Sequence, residues 1–147
     1  MVFLRGKIEE KFIRDNEVVV VGFIDSSIVI GEKRVVVIGG GRIGILSGNE
    51  CILVSMKTPL LVSNIHCGSI IALGLKEPIV AGVIRTDRLY TKKLYVKKLI
   101  VNTATLGEQC IIEELESARE LIFTDPHMYI KKIGRVEKTF FSYKIMD

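Results

Sequence analysis

The sequence predicts an all-β, single-domain β-solenoid with coils of about 16–20 residues, and three observations point to it. Short apolar runs recur along the chain, each three to five residues long and separated by glycine, asparagine, aspartate or lysine. The repeating unit is a pair of such runs: Val18 to Arg34, Val35 to Glu50 and Cys51 to Cys67 each span 16 or 17 residues and share one layout. No segment carries a helical stripe over three turns; Glu113 to Phe123 has local helix formers, but its apolar spacing is ambiguous. A fixed period with glycine corners is what stacked coils require, because one coil cannot bury its own Ile and Val side chains. A β-sandwich is the alternative, since strands every 8–12 residues suit it too. The paired repeat unit and the lack of strict in/out alternation favour the solenoid.

Along the 147-residue chain, read as one domain over 1–147, residues 1–17 form an N-terminal segment. Its apolar tip, Met1 to Lys7, carries Arg5 and Lys7, and charged Ile8 to Asn16 come next. The coils are expected over 18–133. Gly68 to Arg88 is a coil with a few inserted residues, placed around Arg85 to Arg88, and Leu89 to Thr105 returns to 17. Residues 134–147 are expected to be a cap or contact segment, with three of the ten aromatics, Phe140, Phe141 and Tyr143.

The stretch Gly39-x-Gly41-x-x-Gly44 also matches the dinucleotide-binding fingerprint. That fingerprint needs a helix after the third glycine and a ribose-binding acid roughly 20 residues on. Gly48 and Asn49 interrupt the first, and Ser63-Asn64-Ile65-His66 offers no carboxylate for the second. Nucleotide binding at Gly39 to Gly44 therefore ranks below the solenoid reading, and no cofactor is expected.

Composition is globular, with 48% hydrophobic and 26% charged residues. The longest apolar runs fall far short of the ~20 residues that cross a bilayer, and charged Arg5 to Glu10 do not resemble a secretory leader. A cytoplasmic protein is expected. A single glutamine among abundant Lys, Glu, Ile and Val leans towards a heat-loving organism. Three cysteines, Cys51, Cys67 and Cys110, without CxxC spacing argue against a disulfide framework or a zinc site, so all three are expected to be buried small hydrophobes.

Charge is blocked. Arg85, Arg88, Lys92, Lys93, Lys97 and Lys98 stand against Asp87 alone, and Glu108, Glu113, Glu114, Glu116 and Glu120 against Arg119. Neighbouring coils that complement each other, complementary subunit surfaces or a solvated face would each account for this. The basic block, with Tyr90 and Tyr95 interleaved, is also a candidate patch for nucleic acid or an acidic partner. The acidic block beside it would repel a phosphate backbone, so nucleic acid ranks below self-assembly.

Catalysis is not expected. His66 and Cys67 are adjacent on a strand and point to opposite faces, so they cannot form a nucleophile pair. His127 comes after the turn Asp125-Pro126, and no metal-ligating set assembles from the histidines, cysteines and carboxylates.

The glycine-cornered Ile/Val coils, followed by Leu94 to Val101 and Ala104 to Leu115, resemble the bactofilins and their archaeal relatives, the polymer-forming cytoskeletal proteins. The likeness covers roughly 18–133 and rests on layout. It implies a right-handed β-helix associating end to end into non-polar filaments without nucleotide, often at a membrane. This chain departs from the commoner bacterial pattern in its charged, insertion-bearing later coils and longer C-terminal stretch. A solenoid whose end coils are bare can stack, and one whose ends are capped cannot. The sequence therefore predicts a non-enzymatic structural protein whose partner is itself. Its contact residues are Phe3 and Leu4 at one end and Phe140, Phe141 and Tyr143 at the other, with a membrane surface met through residues 1–7 as a further expectation.

Overall fold

The computed structural model describes residues 1–142. Among them every regular element is a strand, and the chain winds into a β-solenoid of about eight turns. Six strands lie in one parallel sheet in sequence order: β1 (Val2–Glu9), β2 (Phe12–Gly74), β3 (Ile79–Lys92), β4 (Leu94–Leu106), β5 (Cys110–Phe123) and β6 (Met128–Phe141). Strand β2 runs unbroken for 63 residues because its corners are made by glycines and small polar residues that keep strand geometry as the chain bends.

Residues one turn apart pair in parallel. Val2 to Glu9 align with Val18 to Asp25, so the first turn measures 16 residues, within the predicted period. Leu60 pairs with Ile79, Ile79 with Leu94, and Cys110 with Met128. Each turn places alternate residues inside, and successive turns stack them at about 4.8 Å into ladders. One ladder runs Ile65, Ile84, Leu99, Leu115, and all four are buried. Branched aliphatic residues suit this stack, because they keep few rotamers and fill the pleat.

The few polar groups inside are satisfied. Ser26 Oγ donates to the Lys11 carbonyl at 3.3 Å, Thr91 Oγ1 to the Ala72 carbonyl at 2.7 Å, and Ser55 Oγ to the Glu77 carbonyl. An unpartnered buried hydroxyl would cost about 1–3 kcal/mol, so these bonds let the core tolerate a polar side chain.

Four expectations need correction. Residues 1–17 are the first turn of the solenoid and not a separate segment, because Val2, Leu4 and Ile8 alternate in register with Val18, Val20 and Ile24. Residues 134–141 likewise continue a turn that starts at Met128, β6, so the coils do not end at 133. The inserted residues of the fourth coil lie at 75–78, between β2 and β3. Thr86 pairs with Val101 and Arg88 with Thr103 in unchanged register, so the insertion is not there. Finally, Cys51 and Cys67 are not free hydrophobes but a disulfide, with sulfurs 2.08 Å and Cα atoms 6.3 Å apart, and Cys110 is the free, buried thiol. Glu113 to Phe123 resolves as strand: Leu115, Ala118 and Leu121 complete the ladders, and this burial outweighs local helix propensity.

Candidate association surfaces

The two ends of the solenoid differ. In the first turn the inward Ile8 and Ile13 are each only 6% exposed. In the last turn Ile133, which continues the ladder of Leu115, is 60% exposed. Met128, Ile130 and Val136 are half-buried against the core, each stacked on a buried residue of β5 on one side only. The outer backbone edge of β6 has no strand paired to it among the described residues. The first turn also has an unpaired outer edge at β1 among the described residues, and its Val2 and Leu4 are half-buried in the same way, so the difference between the ends is the isoleucine that the last turn leaves exposed.

The residues singled out from sequence divide between two directions, because neighbours on a strand alternate faces. Leu4 pairs with buried Val20 and points inward, whereas Phe3 pairs with Val19 and points outward. Phe141 aligns with Phe123 and stacks on it, ring centroids 5.3 Å apart and planes 21° from parallel. Phe140 lies over Ile122 on the outer surface. Leu4 and Phe141 therefore belong to the end ladders, and Phe3 and Phe140 to the flank. Tyr143 lies outside the described residues.

The basic block spans two turns, β3 and β4, and only its second part, with Lys98, stacks on the acidic turn β5. Lys98 aligns with Glu114 and forms an ion pair with Glu116 at 3.6 Å. The Tyr95 hydroxyl donates to the Glu113 carboxylate, and that bond, which favours the protonated phenol, raises the Tyr95 pKa. Arg88 lies 3.9 Å from Asp87, and Lys93 Nζ donates to the Lys76 carbonyl. Arg85 aligns with His66 on another face, and Lys97 sits beside Arg42. Of the six cations, Arg88 and Lys98 are thus ion-paired with carboxylates of their own chain. Similar pairs tie other turns together, Arg14 to Glu32 at 2.9 Å and Arg34 to Glu50 at 3.0 Å. Because these groups are well exposed, each is worth at most about 1 kcal/mol. Reversing one charge tests the stacking: Lys98→Glu sets carboxylates against Glu114 and Glu116. It is expected to lower stability by about 0.5 kcal/mol in a urea titration at low salt, with the difference vanishing at high salt.

The remaining candidates do not converge. Gly39, Gly41 and Gly44 lie against the backbone of the preceding turn, where an added Cβ would come within 1.8, 2.0 and 2.5 Å of the Gly22, Ile24 and Ser27 carbonyl oxygens. Strand β2 continues through them where the nucleotide reading needs a helix. His66 is exposed while Cys67 is buried, as strand alternation requires. A shallow groove of about 540 Å³ lines up Ser47, His66, Arg85, Asp87, Asn102 and Ser117. Its Asp87 is held by the Asn102 amide, and His66 has no hydrogen bond to a nucleophile among the described residues. His127 caps an exposed turn, its backbone N–H donating to Asp125 Oδ1 at 2.7 Å. Among the described residues no three His, Cys, Asp or Glu side chains cluster as metal ligands.

No protein-family model, no curated protein and no solved structure matches the chain.

Proposed function

We propose that this chain is a structural protein that associates with copies of itself through the end of the solenoid, the C-terminal turn being the principal contact. The observation that carries this reading is the open ladder of β6, with Ile133 60% exposed where the first turn buries its isoleucines. An open apolar ladder beside an unpaired strand edge is a template for another strand, and proteins that stay monomeric cover or charge such edges. Association of this kind is what the bactofilin likeness implies, and it requires neither nucleotide nor metal.

The test is assembly size. Ile133→Asp, and separately Phe141→Asp, place a carboxylate in the end ladder, and each is expected to shift sedimenting material to smaller species with the far-ultraviolet β-spectrum unchanged. Negative-stain microscopy of the full chain and of a chain lacking the last ten residues gives the second readout. A full-length protein that sediments as a monomer, or assemblies indifferent to Ile133→Asp, would refute the end contact.

A further inference from the structure

A flat apolar face covers one side of the N-terminal turns. Val18, Val20, Val35, Val37 and Leu53 point inward and are fully buried, so the residues between them point out. Phe3 pairs with Val19 and Arg5 with Val21. The backbone of Gly39 stacks on Gly22, which places Val36 over Val19 and Ile38 over Val21. The approach of Gly40 to Thr58 then places Val54 over Val36 and Met56 over Ile38. Ile71, Leu73 and Leu75 extend the surface into the next turn. Arg5 bounds the face at the first turn, and from Val19 and Val21 through Val36 and Ile38, Val54 and Met56 to Leu73 and Leu75, four turns carry no polar side chain in these two columns. It stops at the next turn along, where Lys92 pairs with Leu73 and Thr105 with Tyr90. At about 4.8 Å between turns and about 7 Å between outward residues, the patch projects to roughly 400 Å². Patches of that size on a protein surface are commonly functional.

We propose that this face pairs with the same face of a second copy, the two sheets packing flat against each other with antiparallel strands. Short branched side chains on a flat sheet are best covered by another flat sheet about 10 Å away, since a helix would meet them only along a line. Charge at the two edges fixes the orientation. Glu50 borders the face on one side; its Oε2 accepts from Arg34 of its own chain at 3.0 Å, and its other oxygen is left for a second cation. Lys57, which has no ion pair among the described residues, borders it on the other, both flanking the same turn. A two-fold axis parallel to the solenoid axis sets each turn against its own copy and so brings Glu50 of each chain towards Lys57 of the other. The area buried, roughly 800 Å² in total, is below that of stable complexes, so the pair is weak and reversible alone. Repeated along an end-to-end assembly it binds through many contacts at once and ties two solenoids side by side. The pairing does not depend on the end contact, and the variant that blocks the end isolates it.

The experiment is sedimentation of the full chain over a concentration series, unmodified and as Ile133→Asp. The Ile133→Asp protein is expected to show a monomer–dimer equilibrium that Met56→Asp weakens roughly tenfold or more at unchanged melting temperature. Lys57→Glu, which leaves the apolar packing alone, is expected to weaken it too, and Glu50→Lys combined with Lys57→Glu to restore it. The lysine variant decides the case should Met56→Asp disturb folding. A monomer at every concentration, or a dimer indifferent to both Met56→Asp and Lys57→Glu, overturns the proposal. Capture by phosphatidylglycerol vesicles that Met56→Asp abolishes, with a monomer in solution, also overturns it and assigns the face to a membrane.

Discussion

Gly39→Ala is expected to lower the melting temperature by roughly 10 °C, with no ligand present. Gly39 has φ +142°, in the region that favours glycine, and an added Cβ would sit 1.8 Å from the Gly22 carbonyl oxygen. The strain of a side chain at such φ costs of order 1–3 kcal/mol, and the collision forces two turns apart at their closest backbone approach. Taken together the loss is about 3 kcal/mol, and a chain of this size loses about 3 °C for each kcal/mol. Gly6 provides the control. It has φ +98° in the same column, yet nothing lies within 4 Å of its would-be Cβ, because none of the described turns stacks on that side of it. Gly6→Ala thus bears the strain without the collision and is expected to cost about 1 kcal/mol. If the two variants melt together, stacking is not what fixes glycine at this corner. Stabilisation of the unmodified protein by an adenine nucleotide would return the phosphate-binding reading to Gly39 to Gly44.

That comparison bears on how the sequence encodes the fold. The glycine triplet is legible as a motif, and its meaning depends on the residues C-terminal to it. Gly48 and Ile52 to Val54 continue the strand pattern, so the solenoid is recoverable from spacing. Repeat length was legible in part: the first turn pairs at 16 residues where the sequence reads as a separate segment, and the coil of 17 residues expected from Leu89 pairs at 15, Leu89 with Ala104. The location of inserted residues was not. Arg85 to Arg88 is polar and turn-like, yet it pairs regularly, and the extra residues lie at 75–78, where the corner lengthens. Burial is decided by the stacked turn, which local composition does not reveal. The flat outer face was present in the sequence as runs such as Val18 to Val21, apolar at both inward and outward positions. Weak alternation of this kind signals stacked coils, but it also signals that an outward surface is apolar. Place in the chain puts Phe3 and Phe140 near the ends, whereas strand parity sends them to the flank.

Reducing the Cys51–Cys67 bridge is expected to lower the melting temperature by an amount similar to that of Gly39→Ala. The bond joins neighbouring turns and closes a loop with a sequence separation of 16. A loop of that length restricts the unfolded chain by about 3 kcal/mol in the chain-entropy treatment. The spacing is itself the signal that an odd cysteine count obscured, because two residues one period apart lie in adjacent turns. Both cysteines are nearly inaccessible, at 1% and 3% exposure, so reduction requires local opening or partial unfolding. Burial raises the pKa of the remaining thiol, Cys110, which keeps it in the unreactive protonated form. Thiol counting therefore gives a sharp pattern: no alkylation of the native protein, one thiol in denaturant without reductant, and three after reduction. Three thiols in denaturant alone, from protein purified under oxidising conditions, would show the bridge absent. A reduced protein melting with the oxidised one would show it dispensable. The same measurement on protein taken directly from cells addresses location. A bridge already formed there belongs to an oxidising compartment or to the disulfide-tolerant cytoplasm of a hyperthermophile, and only the second fits a cytoplasmic scaffold.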